Sequence, residues 1–184
     1  MPGRSALGKG LLVAAILCRA ARPLAAGPGQ DTSPARYHIF VGDQAGRVVL
    51  WALDGAARRL SAPGCQRVFD DFTDETGRSL AADLADTGHA AADALASLYF
   101  ADARDSAQCR TNEAVAAFTA PRSRVVQICP TPFVHLALKP GAGDVLIIHE
   151  FLHTLGLGEN PPASGEITNV VRQRCGGNPS EVQR

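Results

Sequence analysis

The chain has 184 residues, enough for one compact domain with a sizeable core. Hydrophobic residues make up 46% and charged residues 20%, ordinary proportions that exclude a disordered or fibrous chain. The formal net charge is zero, but that balance conceals a basic N-terminus.

Residues 1–26 read as a secretory signal peptide. Arg4 and Lys9 precede the apolar run GLLVAAILC, and small residues follow up to Ala26. The run is too short to span a bilayer. Cleavage removes four of 18 basic groups and none of 18 acidic ones, leaving the mature chain net negative by four. No basic patch then argues for nucleic acid. No second apolar segment is long enough to cross a membrane, so the expected form after cleavage is a secreted or periplasmic monomer.

Residues 27–35, GPGQDTSPA, read as a flexible leader, and 36–184 as a single domain. YHIFV and RVVLWAL flank the turn-rich GDQAG, and their β-branched and aromatic content predicts a β-hairpin. Asp70, Asp71, Asp74 and Glu75 cluster without calcium-loop spacing and read as a solvated acidic turn. Ala91, Ala94, Leu95 and Leu98 fall at helical intervals, predicting a helix over 87–100 with Thr87 or Asp86 as N-cap. His89, in its first turn, reads as an exposed or capping residue. EAVAAFT and RVVQIC, separated by APRS, predict a second hairpin. A proline-rich stretch over 130–140 reads as an irregular connection. Asp144 is the expected N-cap of the next helix, and Ser164 of the last one, which ends at Gly176 and Gly177.

Four cysteines remain after cleavage: Cys65, Cys109, Cys129 and Cys175. An even number in an exported chain predicts two disulfides, and none of the spacings is a C-x-x-C pair that would hold zinc. Of the three connectivities, Cys109–Cys129 and Cys65–Cys175 are favoured. The first joins hairpin neighbours, and the second ties the last helix to the start of the core.

The most informative stretch is LIIHEFLHTLGLGENPP. In a helix, residues four apart lie on one face, so His149 and His153 can direct two imidazole nitrogens at one Zn2+ ion. Glu150, next to the first ligand, is placed to act as a base on a water there. A helix offers no further ligand at this spacing, so the chain must turn back. Gly156 can end the helix in a left-handed conformation, which returns Glu159 toward the ion. Glu166, on the following helix, is the alternative third ligand. His135, Tyr99 and Arg172 can also approach the site, each with a structural or surface role as the simpler account.

This stretch resembles the metzincin arrangement of the zincin metallopeptidases, H-E-x-x-H-x-x-G-x-x-H. The pattern falls on His149, Glu150, His153 and Gly156, with Glu159 where those enzymes carry histidine. CRTNEAVAAFTAPRSRVVQICPTPF is more loosely similar to the Cys–strand–Cys-Pro-x-Phe region of the deuterolysin-like aspzincins. The chain lacks the methionine turn of the first group and the downstream Asp motif of the second, which points to a separate zincin branch. The resemblance implies an α+β zincin-like domain, with a small twisted sheet packed on a few helices including the motif helix. It implies a zinc-dependent endopeptidase acting on proteins or peptides, with an edge strand of the 114–129 hairpin binding substrate backbone. The competing expectation is a non-enzymatic exported domain that uses a structural or relic zinc site as a binding module.

Overall fold

The computed structural model describes residues 37–176, and the signal-peptide and leader readings lie outside them. In chain order, β1 (His38–Phe40) is followed by α1 (Asp43–Leu60), α2 (Pro63–Gln66) and a 3-10 turn (Arg67–Phe69). Next come α3 (Leu80–Asp86), α4 (Ala91–Ala96), β2 (Tyr99–Asp102) and α5 (Ala107–Thr111). The chain continues through β3 (Ala117–Phe118), β4 (Val125–Ile128), α6 (Pro130–Ala137), α7 (Ala142–Thr154) and α8 (Ser164–Cys175). The class is α+β, with a four-stranded mixed sheet in the order β1-β2-β4-β3. β1, β2 and β4 run parallel, and β3 pairs antiparallel with β4 as an edge strand.

The expected N-terminal hairpin is replaced by a strand and a helix of 18 residues. Val49, Ala52, Leu53, Ala56 and Leu60 are all buried, whereas Leu50 and Trp51 are exposed. That is a helical period, and it outweighs the local β-branched composition of RVVLWAL. This buried face packs on α7. Gly55 makes the approach possible, because a Cβ there would stand 2.4 Å from the Asp144 carboxyl carbon. Asp144 is therefore not an N-cap: Gly141 holds that position, and Asp144 in the first turn pairs with Arg59 at 2.9 Å. Arg59 also donates to the carbonyl of Cys175 at 2.6 Å, so one guanidinium joins α1, α7 and α8.

The single helix expected over 87–100 is corrected to the end of α3, the short α4, and β2. Thr87 caps the C-terminus of α3, donating its hydroxyl to the Leu84 carbonyl at 2.7 Å, and Ala90 is the N-cap of α4. Tyr99 and Phe100 leave the helix because β2 is one of the two inner strands, paired on both sides. The hairpin over 114–129 forms with short strands, while the proline-rich connection folds as α6 with Pro130 in its first turn. Ala163 caps α8, and Ser164 is its first residue. Cys65 lies at disulfide-bonding distance from Cys175, and Cys109 from Cys129, with Cα separations of 4.4 and 5.3 Å. No helix among the described residues is long and apolar enough to cross a membrane.

Candidate metal centre

α7 is buried along almost its whole length, and His149, Glu150 and His153 are buried with it. The two imidazoles point the same way, with their Nε2 atoms 3.1 Å apart. Beyond Leu155 the chain turns sharply at Gly156, whose φ of 114° strains any residue with a side chain. The turn delivers the Leu157 carbonyl to His153 Nδ1 at 2.7 Å. A carbonyl only accepts, so Nδ1 carries the proton and the lone pair of Nε2 faces the site. His149 Nδ1 lies 2.9 Å from the hydroxyl of Thr168 on α8. Both histidines thus have an outer partner of the kind that orients metal-binding imidazoles.

Two residues further on, Glu159 Oε1 stands 3.6 Å from His153 Nε2 and 3.8 Å from His149 Nε2. Together with the 3.1 Å separation of the nitrogens, these distances define a nearly regular triangle. Its equidistant point lies about 2.0 Å from each corner, within the range for nitrogen and carboxylate ligands. His149, His153 and Glu159 are therefore a group that could hold a metal ion. Glu166 is engaged elsewhere, accepting the backbone N–H of Ala163 at 2.9 Å at the start of its own helix. His135 and His89 are exposed, and neither they nor Tyr99 line the cleft over the triad, whereas Arg172 does.

Glu150 lines the same cleft without joining the triad. Its Oε2 is buried and has no hydrogen-bond partner, an arrangement that calls for a water or a ligand group. Burial, and secondarily the charge of Glu159, pushes its carboxyl up to about 8. Burial and then His153 lower His149 to about 4, keeping it in the neutral form a metal ligand requires. The cleft has a volume of about 490 Å³. One side is formed by the edge strand β3 and its flanks, and another by Ser164, Thr168 and Arg172.

The acidic cluster differs from its reading as a solvated turn. Asp70, Asp71 and Glu75 are exposed, but Asp74 is buried. It accepts from the backbone and hydroxyl of Thr76 and from the backbone of Arg78, and it pairs with Arg122. The hydrogen bonds from Thr76 and Arg78, together with Arg122, hold its carboxyl down to about 2. The string Asp-Glu-Thr-Gly-Arg carries a signal for this, since Asp side chains cap such turns two residues ahead. Thr168 carried no comparable signal, because its role depends on how α8 crosses α7. Comparison with protein-family models, with curated proteins and with solved structures finds no match to this chain.

Proposed function

We propose that the chain is an exported zinc-dependent peptidase, in which His149, His153 and Glu159 hold the metal and Glu150 is the general base. The observation that carries this reading is the triangle of donor atoms beside a buried glutamate with a free oxygen. Two imidazoles and a carboxylate form a known catalytic zinc set, and zinc supplies Lewis acidity toward water and a peptide carbonyl. Glu150 takes a proton from the attacking water and passes it to the leaving amine. β3 offers an open strand edge along the cleft, to which an extended peptide can add as a further strand. The apolar N-terminus and the two cysteine pairs support export.

The test is metal content of purified protein, wild type against His153→Ala, Glu159→Ala and Glu166→Ala, with hydrolysis of unfolded protein assayed for Glu150→Gln. Stoichiometric zinc is expected in wild type and Glu166→Ala, with loss in the other two. Hydrolysis is expected in wild type and not in Glu150→Gln. Wild type without zinc overturns the reading. Zinc with equal hydrolysis by Glu150→Gln, or with none by wild type, leaves a structural metal and removes the enzyme.

A further inference from the structure

The cleft above the triad has two unlike walls. The β3 side presents apolar residues, among them Val115, Ala116 and Phe118. The opposing wall is one face of α8, where Ser164, Thr168 and Arg172 recur every four residues and so share a side of the helix. Thr168 marks where that face looks, because its hydroxyl reaches His149 Nδ1. Arg172 stands one turn further on, about 6 Å along the axis at the helical rise per residue.

Arg172 is the one lysine or arginine among the residues lining this cleft. Arg59, Arg78, Arg122 and Arg174 are each paired with a carboxylate. Arg172 is exposed, and its guanidinium makes no hydrogen bond or ion pair among the described residues. The guanidinium presents a planar fork of donors that matches a carboxylate.

We infer that Arg172 forms a carboxylate-binding subsite, selecting peptides that carry an acidic group near the bond at the metal centre. The inference rests on the peptidase reading for its substrate class. The carboxylate has two possible sources, an Asp or Glu side chain or the C-terminus of the peptide.

The test uses a short neutral, amidated peptide through which a single Glu is walked, its Gln counterparts, and the all-neutral peptide with a free C-terminus. Equilibrium binding is measured on Glu150→Gln protein loaded with zinc, with and without Arg172→Ala or Arg172→Glu. One Glu peptide, or the free-terminus peptide, is expected to bind about tenfold tighter than its neutral match, as a charge-assisted pair provides. Which of the two does so identifies the source. Arg172→Ala is expected to erase the difference between matched peptides, and Arg172→Glu to reverse it in favour of a Lys peptide. No preference in the Arg172 protein, or a preference that survives Arg172→Ala, overturns the subsite. Cleavage by protein with Glu150 intact is scored separately. An Arg172-dependent preference without cleavage retains the subsite and removes the peptidase. Cleavage without that preference does the reverse.

Discussion

The backbone N–H of Arg122 donates to the carbonyl of His153 at 3.0 Å, joining the β3–β4 turn to the end of α7. The same residue sends its guanidinium to Asp74 and, at 3.6 Å, to Asp83, both of which are buried. Arg122 therefore holds the floor beneath Gly156, whose α-carbon faces the guanidinium and the Asp74 side chain. Arg122→Ala is expected to lower the melting temperature, since it leaves two buried carboxylates without this cation. The same change is expected to weaken zinc binding by about tenfold through the shifted turn. Calorimetry and chelator competition on one preparation measure both effects, and an unchanged zinc affinity would separate the floor from the site.

Asp74 also sets a pH dependence. Its carboxyl is lowered from an ordinary value of 3.8 to about 2, so the folded state binds that proton less well than the unfolded one. The stability it contributes is present in full above the ordinary carboxylate range and is lost as pH falls from about 4 toward about 2. Acid unfolding of Asp74→Asn should be shallower through that window than unfolding of wild type. Equal slopes would show that other carboxylates govern the acid limb.

Thr168 is expected to matter through His149 alone. Thr168→Val keeps the shape of the side chain and removes the hydroxyl 2.9 Å from Nδ1. Zinc affinity should fall by about 10–100-fold, as for other outer partners of metal-binding histidines. Thr168→Ser should retain it. Titration against a fluorescent chelator is sufficient, and a Val variant with wild-type affinity removes Thr168 from the site.

Gly156→Ala is expected to cost more than about 1 kcal/mol, because alanine cannot take the native φ without strain. The loss of zinc should be larger than that stability change predicts, because the turn positions both the Leu157 carbonyl and Glu159. Urea unfolding at saturating and at zero zinc separates the two contributions.

Cys65 and Cys175 are 110 residues apart, so opening that link frees a long loop in the unfolded chain. Replacing both by serine should destabilise by about 4–5 kcal/mol in the chain-entropy model. Because Cys175 ends the helix that carries Thr168 and Arg172, zinc should also be held less tightly in the double variant. Replacing Cys109 and Cys129 opens a loop of only 20 residues and should cost less, which thermal denaturation of the two double variants compares directly.

α7 was legible in the sequence because its information is local: two histidines four apart, a glutamate between, a glycine after. The favoured cysteine pairs agree with the geometry, but Cys109 lies on α5, outside the hairpin that was expected to bring it to Cys129. α1 was misread because Val48, Val49 and Trp51 favour strands when taken alone, and the deciding face extends to Leu60. β2 was misread because its partners His38–Phe40 and Val125–Ile128 lie far away in sequence, and parallel pairing leaves no turn signal. Asp74, Thr168 and Arg122 acquire their roles only when distant elements meet.

The carbonyl of Leu157 selects the tautomer of His153, and it belongs to the main chain. Any amino acid at 157 would carry the same atom, so a side-chain replacement there acts on the interaction only through the path of the main chain. What a substitution can change is the path that carries the atom into place, and that path is decided one residue earlier. The protonation pattern of this histidine is thus inherited from the route of the backbone and not from the identity of a neighbour. Leu157 is itself a buried core side chain, so a scan of position 157 would report its packing, and only a main-chain edit, such as an ester between 157 and 158 that weakens the acceptor, would isolate the carbonyl.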